Sequence, residues 1–181
     1  MSDSYITIVP ANVAQEQVKY LSQSVIDWLT DREIISGKLS DCVLGKSNGY
    51  PPGPNYKSII EGDDYGLLGI RINGLEVTIK RQVFDNGGNG LEEIICPKCG
   101  TNNIDSEWGE VIAAWDSGHG DKLKCSQCDN TFSITEYDFR PTWGFGEFAL
   151  TFWNWPSLTD EFLEGLKKIV DDDIKVIYGR V

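Results

Sequence analysis

Four of the five cysteines fall into two pairs of the same spacing, Cys96-Pro-Lys-Cys99 and Cys125-Ser-Gln-Cys128, with 25 residues between the pairs. Two residues between cysteines let one tight turn present both sulfurs to a single ion, with backbone N–H groups steadying them. Two such turns supply four tetrahedral ligands. Zinc suits an all-thiolate set best; iron and a redox dithiol are the alternatives. A redox dithiol needs only one pair at a strand-to-helix junction, so two matched pairs argue against it. Four protein ligands leave no position for water. The expectation is one structural Zn2+ on Cys96, Cys99, Cys125 and Cys128, with no catalysis at the metal.

Other residues with chemical potential are weaker. Cys42 stands alone with no histidine near it in sequence, which reads as a buried thiol. His119, the one histidine, lies in Ser-Gly-His-Gly-Asp and reads as a loop residue. Gly45-Lys46-Ser47 matches the end of a phosphate-binding loop, but Ser40 stands where its first glycine belongs and Asn-Gly-Tyr-Pro-Pro-Gly follows where a helix is required. Tyr50 and Tyr56 flank a loop with three prolines and three glycines, from Gly45 to Tyr56, and are candidates to line a binding surface. Asp63 and Asp64 are candidate partner-binding residues, or an acid and base pair if the protein is an enzyme. Asp171, Asp172 and Asp173 follow a predicted helix, where negative charge does not favour its C-terminus, which leaves a partner contact as their candidate role.

The elements that must position these residues can be read from periodicity. Tyr5–Val9 is a predicted strand stopped by Pro10. A helix is predicted over 12–31, with Asn12 as its N-cap and Ala14, Val18, Leu21, Val25 and Leu29 on one face. Asn73-Gly74 separates two apolar runs, Leu67–Ile72 and Leu75–Phe84, and predicts a type I′ hairpin pairing Ile72 with Leu75. Asp85–Gly90 is expected to be a flexible hinge. Trp108–Trp115 and Lys122–Cys125 are expected to run out and back as strands. Glu147–Trp155 is predicted to be a buried strand. A helix capped by Ser157 should cover 158–170, and Ile174, Val176 and Tyr178 alternate in a last strand. The fold expected is α+β: two helices on a mostly antiparallel sheet, ending in a βαβ crossover, with residues 1–90 and 136–181 forming one discontinuous domain and 91–135 inserted in it.

The Cys-Pro-x-Cys-Gly turn and the second Cys-x-x-Cys resemble the zinc-ribbon family over about a quarter of the chain. That resemblance implies the four cysteines as ligands. Phe152-Trp-Asn-Trp-Pro and the ending Val176–Val181 resemble an uncharacterised bacterial family, from which no activity follows.

Ribbons often bind nucleic acid, but this one has the wrong sign. Between residues 91 and 135, eight acidic residues face three lysines, and four thiolates with one zinc add two negative charges. The chain of 181 residues carries a formal net charge of −12. Such a surface repels phosphate and anionic lipid and steers basic proteins. No apolar stretch approaches the roughly 20 residues of a membrane span, and no basic-then-apolar leader opens the sequence, so a cytoplasmic location is expected. The reading is a non-catalytic, acidic, zinc-containing protein that binds a basic protein partner, as an immunity or antitoxin-like inhibitor would. The alternatives are a hydrolase-type enzyme with a site between the two modules, and a nucleic-acid-binding ribbon.

Overall fold

The computed structural model describes residues 2–170 and 173–181. Asp171 and Asp172 lie outside them. The main sheet has four strands in the order β10-β1-β9-β2, every neighbouring pair antiparallel. These are β1 (Ser4–Pro10), β2 (Leu75–Thr78), β9 (Ala149–Trp153) and β10 (Ile174–Arg180). Two helices, α1 (Val18–Asp31) and α3 (Asp160–Val170), pack on one face. The strands β9 and β10 run parallel with β1 between them, so β9-α3-β10 is a split version of the expected crossover. The α+β reading therefore stands.

Alternation decides which side chains meet the helices. Ile6 and Ile8 of β1 and Leu150 and Phe152 of β9 point to α1 and α3, all nearly or fully buried. Val18, Leu21, Val25 and Leu29 answer from α1, and Phe162, Leu166 and Val170 from α3. Phe152 meets Trp155 and Phe162 edge-on, and Trp28 stacks on Phe162 across the two helices. Gly165 permits that approach: a Cβ there would lie 3.2 Å from the Trp28 ring.

A second core lies beside the first. It is formed by β4 (Glu93–Ile95), α2 (Trp108–Asp116), β5 (Lys122–Lys124), β6 (Thr131–Ser133), β7 (Asp138–Arg140) and β8 (Gly144–Gly146), with β3 (Gln82–Phe84) pairing β8. Its buried residues include Ile94, Leu123, Ile134, Tyr137, Phe139 and Phe145.

Several expected elements differ. Helix α1 starts at Val18, not Asn12, because a turn precedes it: the Gln17 N–H donates to the Ala14 carbonyl, and the Gln17 side chain accepts from the Ala14 N–H. The predicted hairpin at Asn73-Gly74 does not form. Leu67–Gly69 is a 3-10 turn, neither Asn73 nor Gly74 has positive φ, and Leu75 pairs with Phe152 of β9. Both turn N–H groups donate instead to the Cys42 carbonyl, at 2.9 and 2.8 Å. A long-range partner with a fully buried strand outcompetes the local one. Trp108–Trp115 is helical rather than extended; Trp108, Val111, Ile112 and Trp115 share a face that packs on the second core. The cap of α3 is Thr159, whose hydroxyl accepts from the Phe162 N–H at 3.3 Å, and not Ser157. The turn over 85–90 is tied rather than loose. The buried Asn86 side chain donates to the Gly90 carbonyl and accepts from the Trp143 indole, and Gly87 lies against the Arg180 carbonyl.

One tie between the two cores, beside the packing of β8 on β1 and β10, is Arg81, just before β3. Its guanidinium donates to the Trp115 carbonyl at the end of α2 and to Glu147 Oε1, both at 2.7 Å, and lies 3.9 Å from the Trp115 ring centroid. One planar group thus satisfies a helix C-terminus, a half-buried carboxylate and an aromatic face. Arg81→Lys is expected to cost about 1–3 kcal/mol in urea unfolding, because an ammonium cannot make these contacts together. A loss as small as an exposed ion pair gives, under about 0.5 kcal/mol, would show that the joint carries no load.

Candidate metal centre

Each cysteine pair sits at the tip of a short antiparallel ladder. The first tip is closed by Ile95 pairing with Asn102, the second by β5 pairing with β6. The two tips repeat each other. The Cys96 N–H donates to the Thr101 carbonyl at 2.9 Å, and the Cys125 N–H to the Asn130 carbonyl at 2.8 Å. The residue after each second cysteine is left-handed: Gly100 at φ 72° and Asp129 at φ 58°. Glycine takes that conformation freely, and aspartate is among the few other residues that tolerate it.

This backbone aims N–H groups at sulfur. Cys96 Sγ accepts from the Cys99 and Lys98 N–H groups, and Cys125 Sγ from those of Cys128 and Gln127. Those donors hold the Cys125 thiol down to about 6, whereas burial pushes Cys96 up to about 11. Cys99 is lowered by Thr101, whose hydroxyl oxygen is 3.4 Å from its sulfur. Burial, with the nearby thiolates, raises Tyr137 to about 12, and its hydroxyl donates to the Leu123 carbonyl.

The four sulfurs all lie within 4.8 Å of one another, with Cys96–Cys128 at 3.9 Å and Cys99–Cys125 at 3.6 Å. Sulfurs about 2.3 Å from one tetrahedral zinc would stand about 3.8 Å apart. The four cysteines are thus arranged to hold a metal ion, compatible with one zinc. Cys96 and Cys125 are buried, Cys128 is half-buried and Cys99 is exposed, so the centre lies at the edge of its core.

Asn103 was not readable as part of the site. It is 2% exposed. Its Oδ1 accepts from the Ser126 N–H and hydroxyl, and its Nδ2 donates to the Thr101 carbonyl and faces Cys125 Sγ at 3.8 Å. It therefore ties the two cysteine turns together and orients one sulfur. An asparagine after Cys-Gly-Thr-Asn carries no periodic signal; only the folded turn brings Ser126 to it.

The other candidate residues scatter. Tyr56 belongs to the core at 3% exposure, so it lines no surface; its ring meets Trp155 and its hydroxyl donates to Asp64. Asp64 also pairs with Lys57 at 2.8 Å, and these two contacts hold its carboxyl well below the carboxylate range. The same bond to Asp64 raises Tyr56. Asp64 is thus held as a paired carboxylate between Tyr56 and Lys57. Tyr50 is half-buried against the core and exchanges backbone bonds with Leu75. Asp63 and Asp173 are exposed. Cys42 is buried among Val43, Trp153 and their neighbours. His119 is exposed, after the end of α2.

No protein-family model matches the chain, and neither a curated protein nor a solved structure shows significant similarity to it. Among the described residues, no helix is long and apolar enough to cross a membrane.

Proposed function

We propose that this chain is a non-catalytic, zinc-ribbon-bearing acidic protein that binds a basic protein partner, in the manner of an immunity or antitoxin-like inhibitor. The observation that carries the reading is the surface segment 61–71. Tyr65 is 83% exposed, Leu68 62% and Ile70 37%, with the exposed carboxylates Glu61 and Asp63 beside them. Apolar side chains of that size, with these two carboxylates near them in the chain and a net charge of −12, suit a contact with a basic surface. Tyr65 has φ 46°, a left-handed conformation rare for a tyrosine, and such strain gathers at functional surfaces. The acidic cysteine module speaks against the nucleic-acid alternative.

The test is affinity capture from source cells with the wild type and with Tyr65→Ser/Leu68→Ser. A basic protein should be retained by the wild type, be lost from the variant, and be released as salt rises from about 0.1 to 1 M. Retention that ignores both salt and the substitutions would remove the reading.

A further inference from the structure

A cavity of about 370 Å3 opens on the face of the main sheet opposite α1 and α3. Its floor is a row across three strands, Thr7, Thr151 and Glu76, aligned by the strand register. The Thr7 and Thr151 hydroxyls are 3.0 Å apart, and both residues are buried. Tyr5 and Trp153 stand beside the floor, their ring centroids 5.3 Å apart. The Glu76 side chain is only 14% exposed. The Trp153 indole donates to its Oε2 at 3.1 Å, which fixes the carboxylate in place.

The sheet therefore presents acceptors and aromatic faces to this cavity: a held carboxylate, two hydroxyls and two rings. Such a lining suits a cation. Among the described residues lining it, the one cation is Lys46, whose ammonium binds the other Glu76 oxygen. Lys46 is supplied by an exposed tight turn, Val43 bridging Lys46 around Gly45 at φ 69°, and its side chain is 54% exposed. An ion pair whose cation stays this exposed changes an equilibrium by about two- to fivefold, so a competitor can replace it. Leu44 and Lys46 also border a groove with Asp41, Arg71 and Ile72.

We propose that this cavity receives a lysine or arginine side chain of the basic partner, which displaces Lys46 from Glu76. The inference rests on the partner reading above and deepens it. Lys46 acts as an internal stand-in that keeps Glu76 neutralised in the free protein.

The experiment titrates the zinc-loaded 181-residue chain with N-acetyl-lysine amide and N-acetyl-arginine amide, with N-acetyl-citrulline amide as the uncharged control. The readout is the Trp153 indole N–H signal. Both cationic probes, or one of them, should shift it where citrulline does not. Lys46→Ala should tighten the cationic probe about two- to fivefold, and Glu76→Gln should weaken it at least about tenfold. Tightening on loss of a positive side chain is a result that a merely structural Lys46 would not give. Equal shifts by citrulline, or weaker probe binding in Lys46→Ala, would overturn the proposal. A captured partner that depends on Tyr65 and Leu68, with no probe shift at Trp153, sinks the cavity and leaves the partner reading intact. Probe binding with the expected variant pattern upholds the cationic site even if no basic partner is captured, and in that case the partner reading falls.

Discussion

Cys125→Ser/Cys128→Ser is expected to abolish metal binding and melt the second core while the main sheet stays folded. The wild type should carry zinc, one ion per four-cysteine cluster, by elemental analysis. Apparent binding energies of structural zinc sites are about 10–16 kcal/mol, as large as the whole stability of an ordinary domain. The second core would use that ion to join its two cysteine turns. Its strands are three residues long, and two of its buried side chains are Cys96 and Cys125 themselves. Without the ion, the two turns lose their common centre. Amide exchange reads the outcome residue by residue. Ile94, Leu123 and Ile134 should lose protection, whereas Ile6, Ile8 and Phe152 should keep it, since their core is built by the four-stranded sheet and two helices. A strong chelator should reproduce the pattern in the wild type. Full protection of the second core in the metal-free variant would show that its aromatic packing folds alone and that the ion is an accessory.

Gly74→Ala should destabilise the main domain by about 2–3 kcal/mol, the cost of overpacking a closed site. A Cβ at Gly74 would lie 2.1 Å from Cys42 Sγ and 3.1 Å from both the Cys42 Cβ and carbonyl oxygen. The backbone cannot withdraw readily. The Gly74 N–H donates to the Cys42 carbonyl at 2.8 Å, and its own carbonyl accepts from Trp153 at 3.0 Å. The neighbouring Asn73 donates to the Leu67 carbonyl and accepts the Trp155 indole on its own carbonyl. Cys42→Ala removes the sulfur, so the double variant should recover part of the loss, with a coupling of about 1 kcal/mol or more. Urea unfolding of the four proteins measures it. A type I′ hairpin at this position would give a different result: the penalty would come from positive φ, and Cys42→Ala would relieve none of it.

The contrast between those two sites shows what was legible. Both cysteine turns are local: spacing alone sets which sulfurs face one ion, and the fold adds only the approach of one turn to the other. The strands β1, β9 and β10 and the helix α3 were also legible, because their apolar periodicity reflects burial against one continuous face. The α2 helix carried the same kind of signal in Trp108, Val111, Ile112 and Trp115, which the expectation of a long ribbon hairpin overrode.

Asn73-Gly74 shows the limit. Its dipeptide and its flanking alternation both fit a hairpin, yet local chemistry only ranks local pairings. Leu75 and Val77 gain more by lying against Phe152 and Leu150, 77 and 73 positions further along, than by closing on Ile72 and Ile70. The same holds for Asn103, for the Arg81 joint and for the cavity over Thr7, Thr151 and Glu76, each of which gathers residues from segments remote in the chain. By itself the sequence determined the four-cysteine cluster, the α+β class, the net negative charge and three strands of the main sheet, since these depend on spacing, periodicity and charge. Tertiary structure alone decided the strand partners, the buried polar ties and the shape of the cavity, because burial energy depends on which distant surfaces fit together and that fit has no local signature.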